Sequence, residues 1–338
     1  MTGGAGYIGS HVCKALAASG FSPVTFDNLE TGHQYAVKWG PFEIGDLSDL
    51  PCVRQVLAKH RPVAVLHFAG CAYVGESVSN PMKYYRNNVG GTLNLLTAMI
   101  QSGVRRLIFS SSCTTYGTPG AKPLSESHPQ HPSSPYGSSK YMVERILADC
   151  REGHGLQSVS LRYFNAAGAD PDGECGEDHD PETHVIPRAL MAAHGELDHI
   201  DIFGTNYPTP DGTCVRDYVH VSDLAAGHIS ALCLLLEGHA LPSMNLGLGR
   251  GYSVRDVISV VQKITGRKIA IRERPPRPGD DAVLIANGSL ARRVLGFNPR
   301  FANLEDIVGT AWDWLRKHRS AASLKNGFAP GRHHVWPV

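Results

Sequence analysis

Two residues four positions apart, Tyr136 and Lys140, have the side chains needed for base catalysis at a hydroxyl group. The pKa of a free phenol is about 10, and a cation within about 4–6 Å favours the phenolate. Residues four apart on a helix share one face, so a helix here would bring the Lys140 ammonium close to the Tyr136 phenol. An ordinary surface helix would show the same spacing, so support must come from the rest of the chain.

The residues around the pair predict that helix. Ser134 can cap its first turn, and Pro135 suits the first helical position, where a missing N–H has no consequence. Val143 and Leu147 extend the face of the pair as apolar positions. The pair should therefore lie where the helix meets the body of the protein.

A second group of residues, at the start of the chain, could bind a dinucleotide. Gly3, Gly6 and Gly9 form a G-x-x-G-x-x-G loop ahead of a predicted helix over residues 10–18. Such glycines let the backbone approach a pyrophosphate at a helix N-terminus. Asp27 ends an apolar run about twenty residues further on, where a carboxylate accepts from a ribose 2′-hydroxyl. No Lys or Arg stands between residues 28 and 34 to hold a 2′-phosphate, so NAD is favoured over NADP.

The strand that should precede this loop is missing from the sequence. A dinucleotide loop normally follows a strand of about four to six apolar residues. Only Met1 and Thr2 precede Gly3. We expect an apparently truncated first strand at the centre of the sheet, with a cost in stability and cofactor affinity.

Strand and helix patterns alternate through the first half of the chain. Continuous apolar runs predict strands over 63–70, 106–112 and 158–165, separated by helical patterns over 81–102 and from Ser134 onward. This alternation predicts an α/β fold with a doubly wound parallel sheet of Rossmann type. Polar residues end four of the strands, at the edge where such sheets bind ligands: Asp27, Asp46, Ser112 and Asn165.

The composition changes after Asn165, and a loop rich in Asp, Gly and Pro leads to further helical patterns. We expect a NAD-binding domain over 1–165, with a returning segment at about 216–247. Residues 166–215 and 248–319 would form a smaller C-terminal α/β lobe for the substrate. Residues 320–338 show no pattern and predict a loose tail.

The overall composition excludes several classes of function. The 338 residues carry a net charge of +1, which does not indicate a nucleic-acid or membrane-surface partner. The longest strongly apolar run, 229–236, is too short to cross a bilayer, and no secretory leader is visible. The eight cysteines are scattered without a C-x-x-C pair, which predicts reduced thiols in a cytoplasmic protein. Neither H-x-x-E-H nor H-E-x-x-H occurs, so no metal site is expected.

Taken together, these segments resemble the extended short-chain dehydrogenase/reductase family, and within it the nucleotide-sugar 4-epimerases. The resemblance covers roughly residues 1–319. It is carried by nine blocks in one order: residues 3–11, 67–70, 74–78, 84–89, 109–112, 116–117, 134–140, 161–165 and 211–221.

The resemblance implies a role for each matching residue. Tyr136 would be the base, Ser112 would share its hydrogen bond to the sugar 4-hydroxyl, and Lys140 would hold the nicotinamide ribose and lower the pKa of Tyr136. The implied NAD-binding residues are Gly3, Gly6, Tyr7, Ile8, Gly9, Asp27, Asn28, Asp46, Leu47, Phe68, Ala69, Gly70, Asn87, Tyr136, Lys140 and Phe164. The implied residues for a UDP-sugar are Ser112, Tyr136, Asn165, His184, Arg216, Tyr218, Arg277, Asp280 and Leu284. The two arginines suit a diphosphate on chemical grounds as well.

Three positions depart from the family pattern. Ala72 stands where the family often has Lys, so one cofactor contact is in doubt. His184 replaces an Asn-rich stretch and would either supply one polar contact or face solvent. Leu284 stands at a gate position where Tyr excludes N-acetylated sugars and a small residue admits them, so the choice of sugar stays open.

The implied activity is the NAD-dependent interconversion of UDP-glucose and UDP-galactose, by removal and return of a hydride at sugar carbon 4. The same residues would serve a 4-epimerase of UDP-xylose and UDP-arabinose or of UDP-N-acetylhexosamines. A 4,6-dehydratase is less favoured, because Thr114 and Thr115 stand where its relatives have Asp-Glu. An NAD-binding regulatory protein would usually lack the Tyr/Lys pair. The resemblance also implies a homodimer formed through helices over 82–102 and 136–150.

Overall fold

A computed structural model describes residues 1–117, 123–277 and 280–325, without the side chains of 321–325. Its helices, in chain order, are α1 (Tyr7–Ala18), α2 (Leu50–His60), α3 (Val74–Ser79), α4 (Pro81–Tyr84), α5 (Gly91–Gln101), α6 (Pro135–His154), α7 (Val185–His194), α8 (Val221–Leu236), α9 (Val254–Thr265), α10 (Ser289–Leu295) and α11 (Leu304–Lys325). Its strands are β1 (Thr25–Asp27), β2 (Phe42–Ile44), β3 (Val65–His67), β4 (Arg106–Ser112), β5 (Gln157–Tyr163), β6 (Asn165–Ala167), β7 (Ile200–Phe203), β8 (Val215–Arg216), β9 (Tyr218–His220), β10 (Met244–Leu246), β11 (Tyr252–Ser253), β12 (Ile271–Arg274) and β13 (Val283–Leu284). A π-helical turn, Tyr85–Gly90, joins α4 to α5, and 3-10 turns lie at Gln34–Ala36 and Cys113–Tyr116.

The first lobe is organised around a parallel sheet. Four strands lie in the order β10-β5-β4-β3, and β1 pairs with β2. Every one of these pairings is parallel; Phe109, for example, lies between His67 and Ser160 in the register. Helices α1 and α8 cover one face of the sheet, and α2, α5 and α6 cover the other. The predicted doubly wound α/β fold is confirmed.

Two residues fill the gap between β1 and β3. Thr2 forms parallel bridges to Phe26 on one side and to His67 on the other. The backbone N–H of Phe26 donates to the Met1 carbonyl at 2.7 Å, and that of Phe68 donates to the Thr2 carbonyl at 2.9 Å. A cavity of about 310 Å³, lined mainly by apolar side chains of β1, β3 and α2, lies beside Met1. The ladder at the centre of the sheet is therefore only two residues long in this chain.

The second lobe has a core of its own. Leu190 of α7, Val257 of α9 and Ile307 of α11 are fully buried in it. Helix α10 behaves differently, because Leu295 and the following Phe297 pack into the core of the first lobe. The domain division set out above stays a prediction, and α10 is the element that fits it least.

The predicted elements agree with the observed ones to different degrees. The strand over 106–112 has the predicted bounds, whereas the helix predicted over 81–102 contains the π turn. The tail was predicted to begin at Ser320, and this was wrong, because α11 runs on to Lys325. Alanine, leucine and lysine are good helix formers, and they make up most of residues 321–325. The remainder of the predicted tail lies outside the described residues. Among the described helices, none is long and apolar enough to cross a bilayer.

Candidate active site

All the predicted site residues line a single cleft of about 1310 Å³. The cleft runs along the carboxyl ends of the first-lobe strands and continues to the second lobe, where β8 and β13 lie. The structure thus brings together, in one place, residues that are up to 281 positions apart in the sequence, from Gly3 to Leu284. Three regions of the cleft differ in chemistry.

The glycine loop forms one end of the cleft. Gly6 precedes α1, so the first N–H groups of that helix meet no capping side chain. Gly3 has a φ of +71°, and a Cβ on Gly9 would lie 2.1 Å from the Gly3 carbonyl oxygen. The tight turn therefore requires glycine at both positions. Free N–H groups and the positive helix end suit a diphosphate.

Asp27 lies beside this loop at the end of β1. Its carboxylate accepts from the backbone N–H groups of Ala5, at 3.0 Å, and Leu29, at 2.9 Å. Nearby, the Asn28 amide donates to the Asp46 carboxylate at 2.6 Å. Both carboxylates keep acceptor sites for other donors, such as ribose hydroxyls. The loop and these carboxylates fit NAD.

Tyr136 and Lys140 occupy the middle of the cleft on α6. Ser134 caps the helix by accepting from the Gly137 N–H at 3.2 Å, as predicted. The Lys140 ammonium donates to the Ser110 carbonyl at 2.8 Å and lies 5.8 Å from the centre of the Tyr136 ring. Burial lowers the pKa of Lys140 to about 8.

Burial dominates the pKa of Tyr136 in the protein alone. Burial raises it to about 12, and the hydrogen bond from Ser112 offsets only part of that increase. The predicted effect of Lys140 on this pKa stays a prediction; in the protein alone its ammonium donates to the Ser110 carbonyl. A phenolate at neutral pH would need further positive charge in the cleft.

Thr114 was missed by the sequence analysis as a contributor to this region. Its hydroxyl and its backbone N–H both donate to the Ser112 Oγ, at 2.9 and 3.2 Å. With its lone pairs occupied, Ser112 has its own hydrogen free to donate towards Tyr136. The signal in the sequence was a second hydroxyl two residues after the strand-end serine.

Helix α6 is held on the sheet by a buried ion pair. The Arg162 guanidinium donates to the Glu144 carboxylate through Nε, at 3.0 Å, and Nη2, at 2.6 Å. Its Nη1 donates to the Tyr116 hydroxyl at 2.8 Å. The two charged side chains are only 6% and 7% exposed. Since Glu144 is four residues after Lys140, this pair fixes the turn next to the candidate catalytic residues.

The π turn places Asn87 at the wall of the cleft and buries Asn88 behind it. The side-chain oxygen of Asn88 accepts from the Cys71 N–H at 2.8 Å, while its amide donates to Ser139 of α6 at 2.9 Å. Asn87 lines the cleft next to it. A π turn contains one more residue than an α turn, and here one asparagine lines the cleft while its neighbour joins the segment to α6.

The far end of the cleft is rich in charge. Arg216 and Asp280 line it, and the Arg277 guanidinium lies 3.7 Å above the centre of the Phe203 ring. Asp281, which the sequence analysis missed, has one carboxylate oxygen that is buried without a hydrogen-bond partner. Burial raises the pKa of Asp281 to about 6, and the charge of Arg216 opposes that increase. This end suits an anionic ligand that also offers donors.

Leu284 is buried at this end, beside Cys113, Tyr116 and Phe164, and still reaches the cleft. It can therefore act as a gate without being exposed to solvent. Ala72, where the family often has Lys, also lines the cleft and presents only a methyl group there.

His184 is part of a cluster that the sequence analysis did not predict. Its Nδ1 lies 2.8 Å from a Glu177 carboxylate oxygen and 3.0 Å from a Glu182 oxygen. Burial lowers its pKa, but the two carboxylates outweigh burial and raise the pKa to about 10. His179 joins the same carboxylates from the other side. The His184 side chain lines the cleft and is 39% exposed, so its contact with the substrate stays a prediction.

Known proteins are similar to this chain in both sequence and fold. The chain matches the model of the NAD dependent epimerase/dehydratase family over residues 1–247. A UDP-glucose 4-epimerase of Rhizobium leguminosarum bv. trifolii is 49% identical over 317 residues, covering 94% of this chain and 97% of that protein. The crystal structure of UDP-glucose 4-epimerase from Brucella ovis in complex with NAD is 51% identical, covers 92% of this chain and 96% of that one, and superposes with a TM-score of 0.89. A UDP-glucose-4-epimerase of Stenotrophomonas maltophila, solved with NAD and formylated UDP-arabinopyranose, is 39% identical, covers 95% of this chain and 98% of that one, and gives a TM-score of 0.90.

Proposed function

The chain belongs to the NAD-dependent epimerase/dehydratase family, and from that premise we propose that it interconverts UDP-glucose and UDP-galactose with Tyr136 as the base. One observation carries the proposal. A buried Tyr136/Lys140 pair lies midway along a cleft that has a dinucleotide loop at one end and two arginines at the other.

The cofactor in this proposal is NAD. The α1 N-terminus with Gly3, Gly6 and Gly9 would hold its diphosphate, and Asp27 would accept from a ribose hydroxyl. Lys140 would move from the Ser110 carbonyl towards the second ribose. When bound, NAD accepts the hydride from sugar carbon 4 and returns it, so the overall reaction consumes no oxidant.

Tyr136 would remove the proton from the sugar 4-hydroxyl as the hydride leaves carbon 4, and return it when the hydride comes back. A pKa of about 12 in the protein alone would leave the phenol protonated at neutral pH. Ser112, the Lys140 ammonium and the positive nicotinamide ring all favour the phenolate, and together they would lower that pKa. General-base catalysis of this kind contributes about 10²–10⁴ to the rate.

The uneven charge along the cleft supports inversion at carbon 4. Arg216 and Arg277 would hold the diphosphate and nucleotide firmly. The sugar region around Tyr136 offers uncharged groups, including Ser112, Thr114 and Phe164. A ketose intermediate could therefore turn about its diphosphate and present its other face, while the nucleotide stays in place.

A homodimer in the cytoplasm is part of the same proposal. Met82, Leu93 and Met142 expose 54%, 46% and 43% of their surface, and they lie on the helices predicted to form the dimer. Apolar side chains gathered on adjoining helices are typical of an interface. The eight cysteines are free thiols, which suits a reducing compartment.

The test of the base is the Tyr136→Phe variant. Purified protein, without added NAD, would be incubated with UDP-galactose, and the 4-epimer followed by chromatography. We expect turnover to fall by at least about 10² while NAD still binds. Tyr141→Phe, a change on the same helix at a position outside the cleft, is the matched control and should be near normal. Near-normal turnover of Tyr136→Phe would remove Tyr136 from the mechanism.

The same assay ranks the sugars. UDP-N-acetylgalactosamine and UDP-xylose would be supplied separately beside UDP-galactose. Conversion of UDP-galactose supports the proposed pair of substrates. Conversion of UDP-xylose alone would support a pentose epimerase, and no conversion of any of them with NAD present would refute the proposed activity.

A further inference from the structure

Four side chains beside the cleft meet as a ready set of metal ligands. Glu177, His179 and Glu182 lie on the loop before α7, and His184 is the residue that precedes that helix. One donor atom from each, either an imidazole nitrogen or a carboxylate oxygen, lies within 4.8 Å of all the others. We propose that these four residues bind a single Zn²⁺ ion at the wall of the cleft, which Glu177, His179 and His184 line.

The spacing of the donor atoms fits zinc. The four His–Glu separations are 3.2, 3.6, 2.8 and 3.0 Å. Glu177 presents one oxygen to both histidines, whereas Glu182 presents a different oxygen to each. Zinc binds His nitrogen and carboxylate oxygen at about 2.0–2.2 Å, and donor atoms already within 4.8 Å of one another can close around such an ion.

The hydrogen bonding in the cluster points the same way. The Nδ1 atom of His179 is buried and has no hydrogen bond of good geometry, although a Glu177 oxygen lies 3.2 Å away. This nitrogen also lies 3.6 Å from a Glu182 oxygen, so it has two carboxylates within reach and no well-formed hydrogen bond to either. It can therefore bind a metal ion without the loss of such a bond.

Charge and ligand type favour zinc over harder ions. The side chains of Glu177 and Glu182 are only 8% and 6% exposed, and the pKa values of His179 and His184 are raised to about 9 and 10 by these carboxylates. In the metal-free protein two imidazolium groups therefore balance the two carboxylates, and one divalent ion would take the place of their two protons. Two nitrogen ligands suit Zn²⁺, whereas Ca²⁺ and Mg²⁺ prefer sets made only of oxygen.

A second acidic group on the same loop differs from this cluster because a lysine ammonium lies at its centre. Asp170, Asp172 and Glu174 also converge, but the Lys14 ammonium already lies among them, at 2.8, 2.6 and 2.7 Å. That group has its cation within the chain. It anchors the beginning of the loop to α1, and zinc at the four-residue cluster would anchor the end of the loop to α7.

The four-residue cluster lies beside two aromatic residues of the cleft, Tyr7 and Tyr73. The rings of His179 and Tyr7 lie 6.2 Å apart edge to face, and the ring of Tyr73 lies 6.0 Å from His179. Tyr7 belongs to the first turn of α1, beside the glycine loop. A bound ion would fix the loop that covers this end of the cleft, and we expect it to raise the thermal stability of the protein.

The experiment measures zinc in the untagged, NAD-loaded protein after chelator treatment and dialysis against a limiting Zn²⁺ buffer. We expect one equivalent per chain, a rise in the melting temperature, and the visible spectrum of a tetrahedral ion when Co²⁺ replaces Zn²⁺. The Glu177→Gln/Glu182→Gln double variant should bind zinc more than about 100-fold more weakly. Asp172→Asn, a change in the Lys14 group, is the control and should keep one equivalent.

Two results would overturn the proposal: no zinc in the wild-type chain, or equal zinc in the double variant. If the double variant fails to fold, crystals of the wild-type protein soaked in Zn²⁺ decide the question. An anomalous peak at the zinc edge between Glu177, His179, Glu182 and His184 supports the site. Its absence, or a peak only at other histidines, refutes it.

Discussion

The Glu144→Gln variant tests how the active-site helix is held in place. Glu144 and Arg162 form a buried, two-contact ion pair between α6 and β5. The change leaves the Arg162 charge buried opposite a neutral amide, and breaking a pair of this kind costs about 3–5 kcal/mol. The entropy of unfolding is about 2.1 cal/mol/K per residue, or about 0.7 kcal/mol/K for 338 residues. The melting temperature should therefore fall by about 4–7 °C.

The assay is differential scanning calorimetry of the NAD-loaded protein at pH 7. Glu305→Gln is the matched control, because Glu305 pairs with Lys263 at 3.4 Å on the surface, where the two side chains are 46% and 73% exposed. Exposed pairs contribute about 1 kcal/mol or less, so the control should shift by no more than about 1–2 °C. We also expect a lower turnover for Glu144→Gln, since Lys140 lies one turn away. A melting temperature within about 1 °C of the wild type would show that this ion pair does not stabilise the fold.

Four further predictions concern the cleft and the sheet. Gly9→Ala should weaken NAD binding by about 10- to 100-fold in a fluorescence titration, because its Cβ would clash with the Gly3 carbonyl and strain the loop by about 1–3 kcal/mol. Gly153→Ala, where a Cβ meets nothing within 4 Å, should leave NAD binding unchanged. Burial holds the pKa of Lys140 at about 8, so the side chain loses its positive charge as the pH rises. NAD should therefore bind about tenfold more weakly at pH 9 than at pH 7. This dependence on pH should vanish in the Lys140→Met variant. Leu284→Ala should raise turnover of UDP-N-acetylgalactosamine relative to UDP-galactose by about tenfold in competition assays, and an unchanged ratio would exclude Leu284 as a gate. Adding four apolar residues ahead of Met1 should raise the melting temperature by filling the cavity of about 310 Å³ beside it, and an unchanged value would show that they do not enter the sheet.

The sequence predicts the sheet and its ligand edge well, because both depend on local patterns. Continuous apolar runs mark buried parallel strands, and the strand over 106–112 needed no correction. The cap at Ser134 and the glycine loop follow from the chemistry of single turns. Topology alone brings residues at strand ends together, which explains why Asp27, Asp46, Ser112 and Asn165 lie in the cleft, whereas most of the other site residues in it were named from the family resemblance.

The remaining features depend on contacts between distant segments. The position of the Lys140 ammonium, for example, depends on the Ser110 carbonyl of β4, which accepts its hydrogen bond. The cluster around His184 requires a loop that folds back so that residues 177–184 face one another. In the sequence it shows only as the spacing E-x-H-x-x-E-x-H, and no familiar motif matches it. The extension of α11 beyond Ser320 was missed for a simpler reason, since helix-forming residues without a marked apolar face were taken for a tail.

The π turn at Tyr85–Gly90 has a consequence for anyone who redesigns this helix. Removing one residue would restore a regular α-helix, but it would rotate one half by about 100° relative to the other. Asn88 would leave both Cys71 and Ser139, or Leu95 and Met99 would leave the core. The segment from Pro81 to Gln101 therefore consists of two helical parts whose relative rotation is fixed by the extra residue of the π turn. Residues can be added or removed only at its two ends without changing that rotation.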